Sequence, residues 1–155
     1  MRFMHGPQYN AGLLDWAAMH GKTFDFRDPA NSARAIGVVS GNKLVATCIY
    51  HHFRPNVPDI EMTILADTPR WCTKGAVRFL LSYPFVQLGC VRVTALIGRK
   101  NKRSRRFVEG IGFKLEGTAR RAWDGRQDCM VYGLLRDECR WLTENENGQE
   151  ERRVA

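Results

Sequence analysis

No apolar run in the sequence approaches the ~20 residues that a membrane-spanning helix needs. The N-terminal stretch, MRFMHGPQ, lacks the apolar core of a signal peptide. No Cys-x-x-Cys pair occurs, and the five cysteines (Cys48, Cys72, Cys90, Cys129, Cys139) are an odd number. A disulfide framework and a zinc site are both disfavoured, and free thiols in a reducing, cytosolic setting are expected. Ser-His-Asp context, a Walker loop, metal-ligand spacing, internal repeats and low-complexity tracts are all missing. Acidic residues are scarce, 16 against 24 basic ones, for a net charge of +8. That imbalance points to an anionic partner, such as a nucleic acid or a polyphosphate cofactor.

What is present is enough for one soluble core. At 155 residues, 44% apolar and 26% charged, the chain supports a single globular domain. We assign it to residues 1–143, followed by a polar tail over 144–155. Met1–His5 reads as a short edge strand. Leu13, Leu14, Ala17 and Ala18 give the stretch from Gln8 to His20 an apolar helical face, with Gly21 as its stop. The runs 35–39 and 43–52 are rich in Val, Ile and Thr. Ser40-Gly41-Asn42 between them is hairpin chemistry, and 60–66 is a further strand. Thr73 is a good N-cap type for a helix reaching about Ser82, with Val77, Leu80, Leu81 and Pro84 on its buried face. Pro84 must end or kink it, and a further turn closes at Gly89. Val91–Ile97 is apolar enough for the middle of a sheet. Residues 60–97 therefore predict strand, crossover helix and strand, as a right-handed parallel pair.

The stretch 101–117, NKRSRRFVEGIGFKLEG, carries the most information. Phe107, Val108 and Ile111 share a helical face, Gly110 or Gly112 can stop the helix, and Phe113 and Leu115 then alternate with Lys114 and Glu116. Arg99, Lys100, Lys102, Arg103, Arg105 and Arg106 crowd its start, facing either water or an anion. Strands over 113–123 and 128–135 should pair across Asp124-Gly125, with a short helix at 136–142 and Cys139 and Trp141 packed on the sheet. The fold class expected is α+β: a mixed sheet with an antiparallel meander, a parallel strand-helix-strand pair and a C-terminal hairpin.

This order of elements resembles the GNAT superfamily of acyl-CoA N-acetyltransferases, most closely the Rim-type ribosomal-protein acetyltransferases and their short phage-encoded relatives. The resemblance covers roughly 34–135. It rests on Phe85-x-x-Leu88-Gly89, the Asn101 and Ser104 spacing, Gly112-Phe113 followed by Glu116-Gly117, then Arg121, Asp128 and Tyr132-Gly-Leu-Leu135. It implies an enzyme moving an acetyl group from acetyl-CoA to a primary amine (a protein N-terminus, a lysine or a small amine), without metal or membrane, as a monomer or homodimer. The alternative is a catalytically inactive relative whose basic face grips nucleic acid or a host protein.

The resemblance also assigns residues. The loop Arg70-Trp-Cys-Thr-Lys-Gly75 would take the cofactor pyrophosphate on backbone N–H groups and the positive helix end, although Thr73 stands where the family has its first glycine. Arg70 and Lys74 would reach phosphate oxygens, and Trp71 would either lie on the cofactor or plug the core edge. Cys72, beside that helix end, is a candidate for a lowered thiol pKa. Met62, Thr63, Ile64 and Leu65 would pair by backbone with the pantetheine arm and polarise the acetyl oxygen, where the family's two central strands splay apart. Asn101 would contact the cofactor arm or simply cap its helix. Arg105 would join the phosphate contacts. Ser104 would sit near the departing sulfur or face solvent. Glu61 would be the base, through a raised pKa, or a solvent-side residue in the alternation Asp59, Glu61, Thr63. His51 and His52, adjacent on one strand, should face opposite ways, leaving one able to line the same cleft. Arg120, Arg121 and Arg126 would draw an acidic substrate or partner.

Overall fold

Hairpin chemistry at Gly41-Asn42 starts the sheet. In the computed structural model, which describes residues 1–21 and 24–143, Ser40 pairs with Lys43 across that two-residue turn. Gly41 has φ +60° at the first turn position, where a tight hairpin needs a positive φ. The turn joins β2 (Arg34–Ser40) to β3 (Lys43–Arg54), and β1 (Arg2–Met4) adds antiparallel to β2 as the edge. The expected polar tail, 144–155, lies outside the described residues.

Helix α1 (Pro7–His20) opens with proline at its first position, where the missing N–H is no loss. Gly6 (φ +111°) is its N-cap, and Gly21 ends it in an extended rather than left-handed conformation (φ −97°). Beyond β3 come β4 (Asp59–Ala66), α2 (Lys74–Ser82), β5 (Arg92–Gly98), α3 (Lys102–Ile111), β6 (Lys114–Ala119) and β7 (Cys129–Leu135). The strands form one seven-stranded mixed sheet in the order β1-β2-β3-β4-β5-β7-β6. The β4–β5 pair is parallel, as the crossover pattern predicts, and β5–β7 and β6–β7 are antiparallel. Pro84 stops regular α-helix at Ser82. The chain continues as one wide π-helical turn, Tyr83–Gln87, in which Leu88 N–H donates to Tyr83 O at 3.1 Å, and Gly89 (φ +68°) closes it.

Chain contacts divide the protein into two compact units, Met1–Phe53 with Met62–Leu80 and Arg54–Glu61 with the chain from Leu81 onward. The first has a core of Leu13, Leu14, Ala17, Phe26, Ala35 and Ile49, with Leu44 and Leu65 packed against it. Trp71, Val77 and Leu80 are also buried in this unit. In the second, Phe85, Val93, Ile97, Val108, Ile111 and Leu134 are buried.

Two expectations change. Strand β6 is shorter than the predicted 113–123, because a bulge between Leu115 and Gly117 and its place at the sheet's edge end the ladder at Ala119. Phe113 is buried but Leu115 is 47% exposed, so period-two burial does not carry on to Leu115, where the bulge shifts the register. The expected helix over 136–142 is only one 3-10 turn, Arg136–Glu138. Cys139 is buried, and Trp141 donates from Nε1 to Ile111 O at 2.8 Å, closing the end of α3.

Two glycines separate space from strain. A Cβ on Gly37 would come within 2.6 Å of Leu13 Cδ2 and 2.8 Å of Leu44 Cδ1, whereas one on Gly12, inside α1, meets nothing within 4 Å. Gly37→Ala should cost about 1–3 kcal/mol by overpacking, and Gly12→Ala should add about 0.5–1 kcal/mol by helix propensity. Urea denaturation of both variants checks the opposite signs.

Candidate functional site

In the first unit the candidate residues fall on the second half of β4 and the run into α2. Met62 is buried, while Thr63, Ile64 and Leu65 are half-buried. In the second unit the first three residues of β4 pair parallel with β5, as Asp59–Arg92, Ile60–Val93 and Glu61–Thr94. After β4, Thr68 Oγ1 accepts from Arg70 N–H at 3.3 Å and Pro69–Trp71 makes a short 3-10 turn. Trp71 is 5% exposed and so plugs the core of its unit. Its neighbours Arg70, Cys72, Thr73, Lys74 and Gly75 are exposed. Thr73 caps α2, its Oγ1 accepting from Ala76 N–H at 3.1 Å. That leaves the N–H groups at the very start of the helix, Lys74 and Gly75, directed out of its N-terminal end. The Cys72 thiol is raised, not lowered, because partial burial disfavours the thiolate.

The same unit holds a feature that sequence periodicity misreads. His52 has φ +52°, a left-handed kink in β3 that breaks the strict alternation of faces. Its ring meets that of His51 instead of opposing it, with Nδ1 to Nδ1 at 2.8 Å, while His51 Nε2 lies 3.0 Å from Thr63 Oγ1. His51 is buried and packs on Phe26 at a tilt (centroids 4.8 Å, interplanar angle 48°). Burial, then the nearby His52, holds its pKa down at about 4, so its imidazole is neutral at pH 7. No sequence signal announces this pair, because positive φ at a histidine is rare and has no local motif.

In the second unit, Glu61 is half-buried opposite Thr94. Its charge adds to the burial that pushes up the Cys129 thiol. The alternation Asp59, Glu61, Thr63 does not place Asp59 toward solvent. Asp59 is 3% exposed, ion-paired with Arg54 and with Arg92 (3.8 Å), and accepts from Thr94 Oγ1 at 3.1 Å. A buried carboxylate needs such partners. Asn101 caps α3, its Oδ1 accepting from Ser104 N–H at 3.1 Å, and the Ser104 side chain is half-buried one turn in. Arg105 is tied down: Nε donates to Tyr132 OH at 3.0 Å and Nη1 to Arg99 O at 3.2 Å. The Tyr132 hydroxyl in turn donates to Glu109 Oε1 at 2.8 Å. Arg105 thus holds α3 to β7, and its guanidinium is committed before any ligand arrives.

The structure brings together Arg70 to Gly75 as one exposed basic loop and helix end in the first unit, and Asn101 with Ser104 as one capped helix start in the second. Trp71 and Arg105 have structural employment instead.

No protein-family model and no curated protein matches the chain. Solved structures do. The class they define is the GNAT acetyltransferase fold, and the chain has that fold. A probable acetyltransferase is 26% identical over 68% of this chain and 63% of its own, with a TM-score of 0.58. A presumed acetyltransferase from T. thermophilus is 25% identical over 79% of this chain and 67% of its own, at 0.61. A chimera of the Vibrio cholerae spermidine N-acetyltransferase SpeG with hSSAT aligns over 92% of this chain and 98% of its own, at TM-score 0.71 and 14% identity. At that identity it speaks for the fold alone. The chain spans under two thirds of the length of the first of these.

The His51 environment sets a pH dependence. Its folded pKa of about 4 lies below the ordinary 6.5, so the unfolded chain binds the extra proton between those values and stability falls as pH drops from about 6.5 to 4. The loss on this account is as much as ~3 kcal/mol. His51→Gln should flatten the urea midpoint over that interval relative to wild type; parallel curves would contradict the assignment.

Proposed function

We propose that the chain is an acetyl-CoA-dependent N-acetyltransferase that moves an acetyl group to a primary amine by direct attack on the thioester. The observation that carries this is the β4-to-α2 segment. Strand β4 leads into a Thr73-capped helix whose first N–H groups, at Lys74 and Gly75, follow exposed Arg70 in the chain. Backbone donors, a helix dipole and two cations in one place suit a pyrophosphate. The fit holds without Trp71 or Arg105.

The chemistry assigns roles on this reading. The neutral amine adds to the thioester carbonyl carbon, and a backbone N–H within 62–66 stabilises the oxygen that gains charge. Collapse breaks the carbon–sulfur bond and releases CoA as thiolate. Glu61 takes the amine proton, directly or through water, and Ser104 donates toward the sulfur. Asn101 contacts the cofactor arm. The fold neighbours include a spermidine acetyltransferase, but a net charge of +8 repels polycations. Together with the Rim-type resemblance, this favours a protein N-terminus or lysine as acceptor over a polyamine.

Thr73 in place of a glycine and the committed Arg105 favour the second reading, a GNAT-like binding protein without activity. Acetyl-CoA and desulfo-CoA at millimolar concentration should raise the melting temperature by several degrees, because a ligand at ~100 times its Kd adds about 2.7 kcal/mol. No shift would remove the enzyme reading. Glu61→Gln and Ser104→Ala should each lower kcat about 10- to 100-fold with that shift retained, and unchanged turnover would remove both roles.

A further inference from the structure

Two basic loops of the second unit are stapled together, and none of their cationic side chains has a part in the proposed reaction. The first runs from Arg99 to Arg103, and the second from Arg120 to Arg126. Arg99 N–H donates to Asp128 O at 3.0 Å, and Arg99 Nη1 to Asp128 Oδ2 at 3.2 Å. The other carboxylate oxygen of Asp128 accepts from Arg121 N–H at 3.0 Å, and Lys100 N–H donates to Gln127 Oε1 at 3.1 Å. A Cβ on Gly98 would come within 2.8 Å of Trp123 Nε1, so the indole of the second loop lies against the backbone that enters the first. The two loops form one surface.

The acidic groups of that surface are turned into it. Asp124 Oδ1 accepts from Arg126 N–H at 2.9 Å and Gln127 N–H at 2.8 Å, and Oδ2 from Gln127 Nε2 at 3.2 Å. These bonds, the Gln127 backbone one first, keep its pKa below the usual carboxylate range. The Arg121 backbone N–H does the same for Asp128. The carboxylates therefore remain ionised and spent on loop geometry, while Lys100, Lys102, Arg103, Arg120, Arg121 and Arg126 are exposed. Arg121 has φ +57°, a conformation held by its Asp128 bond and by Gly125 N–H donating to Arg121 O at 3.1 Å. Such a backbone is kept only where surrounding contacts enforce it.

From this arrangement we infer that the stapled loops bind the phosphodiester backbone of a nucleic acid. Guanidinium forks match phosphate oxygens two at a time. A nucleic-acid strand offers its charges at close, regular spacing, which suits a continuous strip of cations on two adjoining loops better than the scattered carboxylates of an acidic protein. Contacts of this kind position a strand without reading its bases. The inference stands apart from the acetyl-transfer reading and survives its failure.

Fluorescence anisotropy with labelled single-stranded RNA and duplex DNA tests it on the full chain. Binding with Kd of about 1–100 µM at 50 mM salt, weakening by 200 mM roughly 100-fold for the single strand and roughly 500-fold for the duplex, is expected for about five phosphate contacts. The triple variant Arg120→Glu, Arg121→Glu, Arg126→Glu should weaken binding at least ~10-fold while the acetyl-CoA thermal shift stays as in wild type. Lys100→Gln, Lys102→Gln, Arg103→Gln, on the other loop, gives the same readout should the first variant fail to fold. RNA and DNA arms tell which strand is preferred, and either supports the inference. Absence of binding at 50 mM salt, affinity unchanged in both variants, equal binding of poly-glutamate, or loss of binding under saturating CoA overturns it.

Discussion

Asp59 carries the strongest constraint in the second unit. It is a carboxylate at 3% exposure, ion-paired with Arg54 and Arg92 and accepting from the Thr94 hydroxyl. Losing one partner of a buried pair costs roughly 3–5 kcal/mol, because the other charge is left without compensation. Arg92 is shared further, reaching Glu116 with Nη1 at 2.9 Å and Nη2 at 2.6 Å. It crosses β7 over Gly133, where a Cβ would come 2.7 Å from its Nη1. One charge cluster thus fixes the start of the β4–β5 ladder, the face of β7 and the edge strand β6.

That cluster sits where the parallel pairing of β4 with β5 begins, at Asp59 and Arg92. In the first unit β4 runs on toward the Thr73-capped helix. On the proposed reading the main chain of 62–66 is the backbone surface for an amide-rich substrate. Side-chain identity in 62–66 then matters little, since the contacts are made by main chain.

The fold was largely legible in the sequence because its signals are local. The Gly41 hairpin, the Asn101 cap, the crossover between β4 and β5 and the Pro84 interruption each follow from residue types within a few positions of one another. What stayed hidden depends on tertiary neighbours. Arg105 read as a phosphate contact, but its partner Tyr132 is 27 residues away. The solvent-side alternative for the alternation Asp59, Glu61, Thr63 cannot see Arg54 and Arg92, which pair with a buried Asp59. Leu115 read as inward because the sequence does not say which strand ends the sheet. The His51–His52 contact required a backbone conformation that no propensity predicts, and desolvation raises the Cys72 thiol despite its nearness to a helix end.

The central claim is that the main chain of 62–66 and the first turn of α2 receive acetyl-CoA. Amide hydrogen exchange with and without desulfo-CoA tests it most directly. The account predicts slowed exchange at Met62 to Ala66 and at Lys74 to Ala76, with the Leu13 and Ile49 core unchanged. Binding that leaves both of those segments exchanging as in the unliganded protein would contradict it.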